Sequence, residues 1–78
     1  MVIVYVLQGT KRRYVGITNN LERRLREHAS SSHSEKLIGP HHPLYTEKTE
    51  SHAEARVREK FLKSGQGRDY LKQKFPDT

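Results

Sequence analysis

Two short runs rich in β-branched and aromatic residues, Val2-Ile3-Val4-Tyr5-Val6-Leu7 and Arg13-Tyr14-Val15-Gly16-Ile17-Thr18, stand either side of Gln8-Gly9-Thr10. They constrain the fold more than anything else in the chain, because such side chains suit a pleated surface and the residues between them turn the backbone. A β-hairpin follows. Strand side chains alternate between faces, so Ile3, Tyr5 and Leu7 share one face of the first strand, and Tyr14, Gly16 and Thr18 one face of the second. Paired in register, the two tyrosines converge over a glycine. Gly16 weakens a strand and carries no side chain, which marks it as a point of close approach to the backbone.

Downstream, Asn19 and Glu22 have the spacing of a capping box, and Leu21 with Leu25 forms an apolar stripe, which predicts a helix of about ten residues. Arg24 and His28 are also four apart, so they share a face at the edge of that stripe. Ala29 to Ser34 ends the helix, and the segment through Pro40-His41-His42-Pro43 reads as an irregular surface loop. Leu44 to Thr49 is a third strand, placed at a sheet edge by its charges. Ser51-His52-Ala53-Glu54 is a second capping box, opening a helix to Lys63 that Ser64-Gly65 stops.

The apolar residues of that second helix are Ala55, Val57, Phe61 and Leu62. Glu59 falls on or beside their seam, where a carboxylate is costly unless it is paired or holds a cation. A short basic helix over Arg68 to Phe75 follows, and residues 76–78 form a frayed tail. Residues 1–75 therefore read as a single α+β domain: a small three-stranded antiparallel sheet flanked by helices, in the order β-β-α-β-α-α.

A chain of 78 residues buries only about 60 to 65% of the surface its unfolded form exposes, so a shallow site is expected. Fifteen Lys and Arg against nine Asp and Glu give a net charge of +6, which favours a polyanionic partner, nucleic acid before membrane. Charge does not separate DNA from RNA. There is no cysteine, which rules out disulfides and thiolate metal sites. The run after Met1 is too short to span a bilayer and lacks the basic flank and cleavage site of a signal peptide, so a cytoplasmic protein is expected.

Taken in order, Val4-Tyr5-Val6, Tyr14-Val15-Gly16-Ile17-Thr18-Asn19, Leu21-Glu22-Arg23-Arg24-Leu25 with His28, and Glu54-Ala55 leading to Arg58-Glu59-Lys60 resemble the GIY-YIG endonuclease superfamily. The likeness is to its small stand-alone bacterial members, and more distantly to the nuclease domain of the excision-repair incision subunit. The resemblance implies a metal-dependent DNA endonuclease or nickase. On that reading Tyr5 or Tyr14 activates or positions the attacking water while the other phenol supports it. Arg24 steadies the scissile phosphate, His28 assists proton transfer or touches phosphate, and Glu59 holds one Mg2+ or Mn2+ ion. Two features depart from the family pattern: Ile3-Val4-Tyr5 lacks the glycine of the first motif, and no asparagine lies between Phe61 and Thr78.

The chemistry is consistent with that reading. A hard cation takes oxygen ligands and keeps several waters, so one carboxylate and a substrate phosphate suffice. Such an ion stabilises charge on the phosphorane and the leaving oxygen. A phenol of unperturbed pKa about 10 needs neighbouring cations to act as a base at neutral pH.

Ordinary explanations compete at each position. A strand tyrosine usually packs, Arg24 belongs to a charged helical run, His28 suits a helix C-terminus, and Glu59 has Arg56 and Lys63 within reach on its own helix. His33, His41, His42 and His52 lack the spacing of a zinc motif and read as loop and cap residues. Lys11, Arg12, Arg13, Arg23, Lys63, Arg68 and Lys72, with Lys74, either solubilise the domain or rim a nucleic-acid groove. A non-catalytic nucleic-acid-binding module on the same fold is the alternative function, and a protein-interaction adaptor is a third. A domain of this size selects its substrate by shape, by forming a homodimer or through a partner protein.

Overall fold

Val2–Gly9 (β1) and Arg13–Thr18 (β2) pair antiparallel, with Tyr5 opposite Gly16 and Leu7 opposite Tyr14. The structure, a computed structural model, describes residues 1–30 and 36–76. His33, the serines beside it and residues 77–78 of the expected tail lie outside the described residues. His41–Thr49 (β3) pairs antiparallel with the other side of β1, giving a three-stranded sheet in the order β2-β1-β3. The α+β class is as expected, and β3 is an edge strand.

Because β1 is central, both of its faces are covered. Val2, Val4 and Val6 pack with Val15, Ala55, Leu62 and Leu71 on one face. Tyr5 and Leu7 pack with Ile38, Tyr14, Leu21, Leu25 and Leu37 on the other. A one-residue slip of β1 would exchange these two sets, so burial on both sides fixes its register.

β3 is longer than the sequence predicts. Residues 41–43, expected in a loop, belong to the strand, where they pair with Gly9, Gln8 and Leu7. Pro43 is tolerated there because an edge strand leaves one side of its backbone unpaired. The pairing shifts between Val6, opposite Tyr45, and Leu7, opposite Pro43, which leaves Leu44 as the extra residue of a β-bulge.

Leu21–Ser30 forms α1, and Asn20, not Asn19, caps it: the Asn20 side-chain oxygen accepts from the Arg23 amide at 3.1 Å. His52–Lys63 forms α2, with Ser51 accepting from the Glu54 amide at 3.2 Å as the capping box predicts. The Glu54 carboxylate reaches back to the Glu50 amide, also at 3.2 Å. Only Ala55 and Leu62 of α2 are buried, and Val57, expected in the seam, is 72% exposed on the outer face.

Gly65–Lys74 forms α3, beginning three residues before the predicted start, so Gly65 opens a helix instead of ending one. Ser64 serves both helices. Its amide donates to the Phe61 carbonyl at 3.0 Å, closing α2, and its hydroxyl accepts from the Gly67 amide at 3.2 Å, opening α3.

An ionic and aromatic cluster ties α2 and α3 to β3. Arg58 donates to both Glu47 oxygens at 2.9 and 2.8 Å, and the Tyr45 hydroxyl donates to the same carboxylate. The Arg58 guanidinium also lies over the rings of Phe61 and Tyr70, at 4.8 and 5.4 Å from their centroids. Burial works to raise the Glu47 carboxyl, but the hydrogen bonds from Arg58 and Tyr45 outweigh it and hold the group below its ordinary value. No helix among the described residues is long and apolar enough to cross a membrane.

Candidate active site

Register and helix spacing bring Tyr5, Tyr14, Arg24 and His28 together on the α1 face of the sheet. The Tyr5 hydroxyl lies 2.9 Å from His28 Nε2, and Arg24 Nε donates to the same oxygen at 3.3 Å. One phenol thus joins both helical residues. The Tyr5 and Tyr14 ring centroids are 6.1 Å apart, and the Tyr14 ring stands edge-on to His28 at 5.0 Å.

Gly16 lies beneath this cluster. A Cβ at that position would fall 2.5 Å from the Tyr5 hydroxyl and 2.7 Å from its Cζ. The close approach expected at Gly16 is therefore made by the phenol of Tyr5 itself.

The site is deeper than the size of the chain suggests. Tyr5 is 1% exposed and His28 5%, whereas Tyr14 and Arg24 are partly exposed and form its outer layer. Burial raises the Tyr5 phenol above its ordinary value, and the hydrogen bond from Arg24 only partly offsets this. Burial also lowers the His28 imidazole, helped by the positive charge of Arg24 and by His41. Near neutral pH the pair is a neutral phenol against a neutral imidazole. Arg24 is further held by Glu27, whose carboxylate accepts from it at 3.1 Å.

Glu59 is set apart from this cluster. Its side chain is 25% exposed, and among the described residues its partner is Lys63, one turn along α2 at 3.3 Å. No group of three or more His, Cys, Asp or Glu suited to a metal occurs among the described residues. A single carboxylate that keeps some access to solvent still fits an ion that holds most of its own water.

Lys63 leads to a second feature. A cleft of about 650 Å³ is lined by Lys11, Arg12 and Arg13 of the hairpin on one side and by Lys63, Arg68 and Lys72 on the other, with Tyr14 among its walls. These are six of the eight cations expected to rim a nucleic-acid groove. Among the described residues no carboxylate lines the cleft. Arg13 is also a structural clamp, donating to Gln8 Oε1 at 2.6 Å and to the Phe75 carbonyl at 2.5 Å. Of the other two, Arg23 lies on α1 and pairs with Glu27 at 3.4 Å, and Lys74 lies over the Tyr45 ring.

His41 was missed by sequence reasoning, which placed it in a loop. It opens β3 with its ring 6.0 Å from that of His28. The only signal available in the sequence was its position after Gly39-Pro40, and nothing in a periodicity announces a bulge.

A hairpin presents two phenols over a glycine, backed by a helix that supplies arginine and histidine, within a small α+β domain. The chain belongs to the GIY-YIG family: the model of the GIY-YIG catalytic domain matches residues 1–73. Searches of curated proteins and of solved structures gave no significant match. Family membership implies nuclease-type cleavage of DNA, and such nucleases generally depend on a divalent metal.

Proposed function

We propose that this chain is a divalent-metal-dependent endonuclease or nickase in which Tyr14 meets the attacking water and Tyr5 supports it from behind. The observation that carries this reading is the Tyr5 hydroxyl held between His28 Nε2 and Arg24 Nε. Of the two phenols only Tyr14 has appreciable exposure, which suits it to contact water. Tyr5, buried and raised in pKa, keeps its proton. With Arg24 donating to its oxygen, the Tyr5 hydroxyl donates to neutral His28.

Arg24, partly exposed, presents its remaining N–H groups to the scissile phosphate, where a planar guanidinium suits two oxygens at once. His28, as the acceptor of that hydrogen bond, holds the Tyr5 hydroxyl in place without itself needing access to solvent. Glu59 is the residue that would hold the divalent ion, which when bound supplies charge stabilisation to the phosphate and the leaving oxygen. The basic cleft beside Tyr14 suits the flanking DNA backbone, and RNA meets the same charges. The absence of cysteine suits work in a reducing, cytoplasmic compartment.

Incubation with branched, flapped and plasmid DNA in the presence of Mg2+ tests the proposal. Cleavage that depends on the metal and is lost in Glu59→Ala supports it, and cleavage no greater than that of the variant refutes it. The pairing of Glu59 with Lys63 favours a second reading, a nucleic-acid-binding module without catalysis. That reading expects steeply salt-dependent binding and indifference to Glu59→Ala.

A further inference from the structure

His41 reaches the α1 face of the sheet through a change of phase in β3. From Thr49 to Tyr45 each residue lies opposite its partner on β1 with Val2 facing Thr49 and Val6 facing Tyr45. Continued without interruption, that register would set His42 opposite Gly9. The bulge at Leu44 shifts it by one, so Leu7 faces Pro43 and Gly9 faces His41. Paired residues on antiparallel strands share a face, which puts His41 on the face of Leu7 and Tyr5. Bulges re-aim side chains in this way next to functional sites.

Two further contacts fix the ring. His41 Nδ1 lies 3.0 Å from the Gly39 carbonyl. Gly39 has φ +80, a conformation that favours glycine, and its neighbours are anchored to the hairpin: Lys11 donates to the Ile38 carbonyl at 3.0 Å and Thr10 to that of Pro40 at 3.1 Å. The ring of His41 so held stands nearly perpendicular to that of His28, at 85°. Tyr5 and Tyr14 meet His28 from β1 and β2, Arg24 and Glu27 act on it from α1, and His41 is the group that β3 contributes.

We propose that His41 is a positioning residue of the candidate active site: aimed by the bulge and anchored by Gly39, it packs edge-on against His28 and holds that imidazole toward Tyr5 in its uncharged form. This role rests on the proposed nuclease function only for its catalytic consequence. Its effect on His28 exists whether or not DNA is cut. The electrostatic effect of His41 lowers His28, and the His41 ring, set edge-on against it, also excludes water from it, so both act in the same direction.

The test compares wild type with His41→Ala and His41→Phe, following the His28 imidazole resonance by NMR across pH and, separately, the pH profile of cleavage of flapped DNA with Mg2+. In His41→Ala the His28 titration moves upward, and cleavage falls about threefold at pH 6 while staying near wild type at pH 8. In His41→Phe, which keeps a ring but no charge, the upward movement is smaller. If His41→Ala does not fold, the Phe variant decides on its own by the direction of its shift. A His28 titration unchanged in the folded variants overturns the proposal. Failure of the nuclease reading shows differently, as absent cleavage in the wild type with the His28 shift still present.

Discussion

The Tyr5 hydroxyl and the His28 Nε2 atom, 23 residues apart in sequence, lie 2.9 Å from each other in a part of the molecule that solvent barely reaches. On the proposed function, that contact separates the two phenols by role. Tyr14→Phe removes a hydroxyl from the outer layer, and cleavage is expected to fall about a hundredfold or more with little change in melting temperature. Tyr5→Phe removes the buried hydroxyl that His28 and Arg24 share, so it should cost about 1–3 kcal/mol of stability as well as activity. Thermal melts alongside single-turnover cleavage distinguish them.

Gly16→Ala places a methyl group 2.5 Å from the Tyr5 hydroxyl, where no ordinary contact fits. Tyr5 is enclosed and cannot swing aside without giving up His28. The substitution is expected to cost about 1–3 kcal/mol, the range seen for overpacked cores. Urea titration of the variant checks it.

The lowered His28 makes stability depend on pH in a stated direction. Its value in the folded chain lies below the ordinary imidazole value of the unfolded one, so between the two the unfolded chain takes up the extra proton. Stability should therefore be full above the ordinary imidazole range and decline as pH falls through it. His28→Gln, which retains an acceptor for Tyr5, is expected to flatten the melting temperature between neutral pH and pH 5.

Lys63 competes with any ion at Glu59. Replacing it as Lys63→Met is expected to lower the Mg2+ concentration for half-maximal cleavage by about twofold, the scale of an exposed helical ion pair. The same change removes a cation from the cleft, so DNA affinity should weaken and its salt slope fall by about one. Metal and salt titrations move in opposite senses.

On the other face of the sheet, Glu47→Ala strips Arg58 and Tyr45 of their shared partner. A loss of about 1.5–3 kcal/mol is expected, the worth of hydrogen bonds to a charged group. Cleavage per folded molecule should be unchanged, because the cluster lies away from the phenols. Comparing stability with specific activity tests that separation.

How far the sequence discloses all this depends on the range of each interaction. The hairpin, the shared face of Tyr14 and Gly16 and the Arg24–His28 face follow from periods of two and of about four, which operate locally, whereas the register that sets Tyr5 opposite Gly16 comes from the pairing itself. Ser51 capped its helix as read, because its partner lies three residues away. Asn19 and Asn20 offer the same chemistry, and only backbone geometry selects the second. Val57, expected in the seam of α2, faces outward, whereas Ala55 and Leu62 are buried there, Phe61 packs against the same core and Glu59 lies part-buried beside it. His41 and the lining of the basic cleft depend on a bulge and on helix packing, which no short window of residues records.

Ser64 carries a consequence for how the molecule comes apart. Helices of ten or twelve residues are marginal on their own in water, and these two depend on the same serine for their adjoining ends. Fraying at the end of α2 removes the start of α3, so the pair should open as a single cooperative unit. The far end of that unit is linked to Arg13 through the Phe75 carbonyl, and Arg13 is next to Tyr14 in β2. Loosening the last turn of the chain therefore slackens the strand that presents the solvent-facing phenol.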